Sequence, residues 1–133
     1  MTEFDALLRL NMTRGVGIKT YRTLLERFGS SEAILNASKR ELESVHGIGP
    51  KLSAAIIEAS RNIDIEAEIN LAREKNVQIV PYTSDLYPKC LKAIYDPPLI
   101  LYIKGNIQEA DILAIAVVGA RHCSYYGLAQ AER

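Results

Sequence analysis

Gly15-Val16-Gly17-Ile18-Lys19 recurs thirty-two residues later as Gly47-Ile48-Gly49-Pro50-Lys51, and at the same offset Leu24-Leu25-Glu26 aligns with Ile56-Ile57-Glu58. Glycines, a lysine and apolar positions matching at one spacing mark a duplicated supersecondary unit. Each copy reads as helix, Gly-apolar-Gly turn, helix. The apolar residue between the glycines, Val16 or Ile48, is expected to plug the core, while both glycines take backbone angles that a Cβ would forbid. In the second copy Gly49 caps the following helix, and Pro50 occupies its first turn, where a missing N–H is harmless. Such a turn leaves amides exposed at a helix start with a lysine two residues beyond. That geometry holds a phosphate without reading a base.

Around this repeat the pattern is helical. Residues Asp5 to Leu10 form a short amphipathic stretch, and Ser30/Ser31 and the segment from Lys39 to Leu42 read as short helices with serine caps. A helix over 62–76, with Asp64 as a candidate cap, ends on a basic turn and a left-handed Asn76. Val77–Pro81 and Leu99–Lys104 read as strands, separated by breaks at Tyr87-Pro88 and Asp96-Pro97-Pro98 and followed by a Gly105-Asn106 turn.

Ile112-Leu113-Ala114-Ile115-Ala116-Val117-Val118 then runs directly into Gly119-Ala120-Arg121. An unbroken Ile/Val-rich run of this length reads as a strand buried on both faces, as in parallel sheets. A small-residue turn, an arginine and a helix start near Ser124 would together form an anion pocket suited to phosphate. The alternative is a plain tight turn with Arg121 as a solvated charge.

The 133 residues are 48% hydrophobic, with sixteen basic and sixteen acidic side chains. Zero net charge supplies no basic footprint, so nucleic-acid binding cannot be argued from the total. Residues 1–61 carry nine basic and seven acidic groups and residues 62–133 the reverse. No secretory segment follows Met1 and no apolar run reaches membrane-spanning length, so a cytoplasmic location without membrane association is expected. Cys90 and Cys123 fit free thiols in a reducing compartment. His122-Cys123 lacks metal-ligand spacing, and no cofactor is expected. Walker, G-x-S-x-G and HExxH motifs are absent, and Arg121 stands where a dinucleotide fingerprint needs its second glycine, so an enzyme is not expected.

The segment from Val45 through Lys51 to Ile56 resembles the helix-hairpin-helix family, with residues 1–62 forming a tandem, SAM-like copy. The first copy is looser, because Ile18 stands where proline is usual. The resemblance implies DNA-backbone contact through Gly15, Gly17, Lys19, Gly47, Gly49 and Lys51; a protein-contact or spacer role is the other use of such domains.

Tyr87-Pro88-Lys89-Cys90-Leu91, Asp96-Pro97-Pro98-Leu99-Ile100-Leu101-Tyr102, Lys104-Gly105-Asn106, Val117-Val118-Gly119-Ala120-Arg121 and Ser124-Tyr125-Tyr126-Gly127 occur in that order. Their order and spacing resemble the start of the DNA-processing protein A family, also called Smf. The resemblance implies an α plus α/β chain, in which residues 63–133 form a linking helix and the incomplete start of an extended Rossmann-like parallel sheet. It further implies single-stranded DNA binding in natural transformation and recombination, loading of the RecA recombinase, and a homodimer in the full-length protein. Gly119, Arg121, Ser124 and Gly127 match the family's phosphate turn and the helix start after it, with Ala120 replacing the usual hydroxyl residue. On this resemblance the chain is expected to be an N-terminal fragment whose apolar strand edge stays exposed. The alternative reading is a helical interaction or DNA-repair module attached to a Rossmann-like nucleotide-binding enzyme domain.

Overall fold

The computed structural model describes residues 2–108, 111, 113–114, 118–119 and 122–132. Thr2 starts α1 (Glu3–Met12) through a capping box: its hydroxyl accepts from the Asp5 amide, and the Asp5 carboxylate accepts from the Thr2 amide. These two bonds satisfy donors that a helix start otherwise leaves unpaired. The chain continues through α2 (Ile18–Phe28), α3 (Ser31–Asn36), α4 (Lys39–Glu43), α5 (Pro50–Asn62) and α6 (Ile65–Glu74). Serines cap α3 and α4 as expected, Ser30 accepting from the Ala33 amide and Ser38 from the Glu41 amide. Asp64 caps α6 in the same way, and Asn76 after it is left-handed at φ 53°.

The thirty-two-residue repeat is reproduced in atomic detail. Leu10 and Leu42, Thr13 and Val45, Val16 and Ile48, and Leu24 and Ile56 are buried in corresponding places. The amides of Val16 and Ile48 donate to the carbonyls of Thr13 and Val45, and those of Tyr21 and Ser53 donate to Gly17 and Gly49. Tyr21 and Ser53 also occupy equivalent positions, and each makes the buried polar contact of its copy. Tyr21 shares a 2.9 Å hydrogen bond with Ser31, and Ser53 donates to Glu43 at 2.8 Å. Burying a hydroxyl is tolerable only when it is paired in this way.

One apolar core joins α1 through α5 and continues through Ile65 of α6 to Leu99 and Ile100. Arg9 ties the ends of this helical body together, its guanidinium donating to the carbonyls of Ala59 and Ile63 at the end of α5. Beyond α6, β1 (Val77–Pro81) and β2 (Ile100–Lys104) are separated by α7 (Lys89–Lys92). The two strands pair antiparallel, Ile79 opposite Tyr102.

This corrects the expectation that they begin a parallel sheet. A parallel return needs a crossover element that runs back along the strand. The connection's helix has four residues, about 6 Å of rise against roughly 17 Å of strand, so the chain comes back in the opposite direction.

The strand expected over 112–118 is described only in part. Residues 112 and 115–117 lie outside the described residues. Of the described ones, Leu113 and Val118 are exposed and belong to no strand, where a strand buried on both faces was expected. The last element, α8 (Tyr125–Ala131), begins where the sequence placed it, with Ser124 as N-cap.

Candidate nucleic-acid interface

Gly15 and Gly47 have φ of +95° and +86°, the left-handed region in which a side chain is strained. Gly17 and Gly49 do not share it. They are the extended N-cap residues of α2 and α5, with φ of −104° and −88°. The expectation that both glycines of each turn need forbidden angles therefore holds for the first of each pair only. The second glycine contributes open space, since a Cβ there would meet nothing within 4 Å. Neither cap supplies a side-chain bond to its helix start, so the Ile18 and Lys19 amides of α2 remain available to an external acceptor, and in α5 the Lys51 amide, since Pro50 has no N–H and Leu52 donates to the Gly49 carbonyl.

The two turns then diverge. The second is open: a shallow depression of about 570 Å³ is lined entirely by its own residues, from Glu43 to Gly49. Lys51 is exposed, and among the described residues it makes no ion pair or side-chain hydrogen bond. With Arg14, Gly15, Leu52 and Ala55 it lines a neighbouring depression of about 320 Å³. The structure thus brings Lys51 beside the first turn, close enough that a Cβ on Gly15 would lie 3.3 Å from Leu52 Cδ1.

The first turn is faced by another part of the chain. Asn11, Val16, Gly17 and Ile18 share a cleft of about 270 Å³ with residues 96–99. Lys19 donates to the Tyr95 hydroxyl at 2.6 Å, its ammonium 4.2 Å from the ring centroid. That hydrogen bond holds the lysine above its ordinary pKa. Arg22 donates to Tyr82 at 2.8 Å. No motif announces Tyr82 or Tyr95 in this role; a tyrosine beside prolines in a loop carries no periodicity.

Toward the C-terminal end, Ser124 accepts from the Gly127 amide at 3.2 Å, so its hydroxyl is committed to α8. Gly119 is exposed, and so are Tyr125 and Tyr126. Arg121 and Ala120 lie outside the described residues. Cys90 and Cys123 are free and exposed. Among the described residues no group of His, Cys, Asp and Glu could hold a metal ion, and no helix is long and apolar enough to cross a membrane.

Residues 4–62 match the family model of the SAM-like helix-hairpin-helix tandem, and residues 78–133 match that of DNA recombination-mediator protein A. Protein Smf of Borreliella burgdorferi is 37% identical over 60 residues, covering 45% of this chain and 19% of that protein. The DNA processing protein DprA of Bacillus subtilis is 39% identical over 56 residues, 41% of this chain and 19% of that protein. A DNA ligase of Acidobacterium capsulatum is 40% identical over 70 residues, 47% of this chain and 10% of the ligase. The chain therefore spans about a fifth of the length of the Smf and DprA proteins it matches. No solved structure gives a significant match. With the hairpin duplicated at one offset and both family models matched in order, residues 4–62 are similar to the SAM-like helix-hairpin-helix tandems and residues 78–133 to DNA recombination-mediator protein A.

Proposed function

We propose that the chain contributes to binding single-stranded DNA during natural transformation and recombination, gripping the sugar-phosphate backbone rather than reading bases. The observation that carries this is the second hairpin, where extended Gly49 presents the uncapped start of α5 to solvent and Lys51 stands exposed beside it. Backbone amides at a helix start and a cation without a partner suit a phosphate oxygen. In this reading Gly119 and Arg121 are a second phosphate contact ahead of α8, with Ser124 and Gly127 shaping the helix start, a role that the match over 78–133 supports. It also suggests that residues 63–133 enter an extended Rossmann-like sheet. Tyr125 and Tyr126, both exposed, suit base stacking. In the complete cytoplasmic protein this activity is non-catalytic, operates in a homodimer, and hands the strand to RecA.

The test is titration of the chain with a single-stranded oligonucleotide across a salt series. Lys51→Ala and Arg121→Ala are each expected to weaken binding on all sequences alike and to lower the salt slope by about one. Affinity indifferent to salt and to both substitutions would remove the backbone-contact reading. A helical DNA-repair module attached to an enzyme domain is the second reading, favoured by the match to a DNA ligase. Binding of nicked duplex in strong preference to single strands would select it.

A further inference from the structure

The two copies of the hairpin are equivalent in backbone and unequal in surroundings. Lys19 and Lys51 correspond at the thirty-two-residue offset and both are exposed, yet Lys19 donates to Tyr95 while Lys51 makes no side-chain hydrogen bond or ion pair among the described residues. Arg22 corresponds to Ala54, and Arg22 too is taken up, by Tyr82. The loop that does this is braced from behind. Pro97 is among the fully buried side chains, Tyr87 donates to the Pro98 carbonyl at 2.8 Å, and the Tyr82 amide donates to Leu99 at 2.8 Å. Asp96 lines the cleft with Gly17 and Ile18 at the start of α2, and its charge acts on the Lys19 ammonium. A negative charge beside that lysine offsets its attraction for a phosphate.

We propose that the loop from Tyr95 to Pro98 closes the first hairpin against nucleic-acid backbone, leaving the second hairpin as the backbone contact of the helical repeat. This rests on the nucleic-acid reading above and adds a selectivity to it. A tandem with both turns open offers two phosphate grips; with one closed in cis, the repeat holds one backbone segment. The tyrosine and the aspartate are thereby specificity determinants, although neither touches DNA.

The experiment uses the 133-residue chain and fluorescent oligonucleotides, one single-stranded and one duplex of the same sequence. Lys51→Ala is expected to weaken binding about three- to tenfold and Lys19→Ala by less than about twofold. The double variant Tyr95→Ala/Asp96→Ala, which leaves buried Pro97 in place, is expected to gain affinity, most of all for duplex. In that background Lys19→Ala is expected to become as damaging as Lys51→Ala. A DNA-free arm follows amide resonances: Tyr95→Ala moves those of Gly17, Ile18 and Lys19 and leaves Gly49 and Lys51 in place. Equal losses from Lys19→Ala and Lys51→Ala in the otherwise unaltered chain, or unmoved Gly17–Lys19 amides, would overturn the closure alone. Failure of both the unaltered chain and the opened variant to bind either oligonucleotide would overturn the nucleic-acid reading, and the closure's purpose with it.

Discussion

The guanidinium of Arg9 on α1 donates to the carbonyl of Ile63, fifty-four residues later, and also to that of Ala59, so one side chain closes the end of α5. The Ile63 carbonyl lies where a helix end leaves acceptors unpaired, the Ala59 carbonyl accepts from the Ile63 amide as well, and the negative end of the helix favours a cation there. The Nε of Arg9 is buried without a partner, so the site is dry enough for the bonds it does make to matter. Arg9→Met is expected to destabilise the fold by about 1.5–3 kcal/mol, the range for hydrogen bonds from a charged donor. Urea unfolding of the two proteins measures the difference; equal midpoints would contradict the role.

Glycine substitutions should separate fold from binding. Gly15→Ala places a Cβ at positive φ and 3.3 Å from Leu52, and Gly47→Ala meets the same backbone strain in open space. Each is expected to cost about 1–3 kcal/mol, with Gly15→Ala the worse. Gly17→Ala and Gly49→Ala, at extended φ, are expected to cost less than about 1 kcal/mol as weakened N-caps. Thermal melts of the four variants give the ranking directly. Gly49→Ala should then weaken DNA binding out of proportion to its effect on stability.

Tyr87 is buried and its hydroxyl donates to the Pro98 carbonyl at 2.8 Å, with the Tyr82 ring edge-on at 5.5 Å. Tyr87→Phe keeps the ring packing and leaves a carbonyl without its donor. A loss of about 1 kcal/mol is expected, together with faster hydrogen exchange through the 95–99 loop. Exchange that quickens in α3 and not in this loop would refute the bracing.

At high pH the informative group is Tyr102. Burial, and the Glu68 carboxylate beside it, push its phenol from 10.0 up to about 12. A raised folded-state value means that the stabilisation is intact below pH 10 and is lost as the pH climbs through 12. Burial raises Tyr21 and Tyr87 as well, so the test is the difference: Glu68→Gln should shift the late part of the tyrosinate absorbance of the folded chain to lower pH, and an unmoved curve would contradict the role of Glu68.

At low pH the corresponding group is Glu41. The Ser38 hydroxyl and amide both donate to its carboxylate, at 2.6 and 2.8 Å, and hold it below its ordinary range. A depressed value gives stabilisation that is present above pH 4.5 and fades as the pH falls through the folded-state value. Ser38→Ala is expected to flatten the acid limb of a stability-against-pH curve; an unchanged limb would remove the capping box from the account.

The thirty-two-residue repeat made the helical body legible because each of its rules is local. A glycine at positive φ, a proline in the first helical turn, a serine or aspartate cap and an apolar residue every three or four positions act within a few residues of the chain. For that reason Gly15, Gly47, Pro50, Ser30, Ser38 and Asp64 could be placed by inspection. The strands at 77–81 and near 100–104 were legible for the same reason, while their antiparallel direction was not, since pairing depends on how the connecting chain folds back. The exposure of Leu113 and Val118 likewise depends on what packs around them, and composition does not encode that.

What the sequence by itself determined is the pair of hairpins and the residues that line their turns. What only the tertiary structure decided is that the two turns are no longer alike. Tyr95 meets Lys19 across seventy-six residues, and Tyr82 meets Arg22 across sixty. Contacts at that separation are set by the packing of the whole core, whereas caps and turns are set by neighbours in the chain.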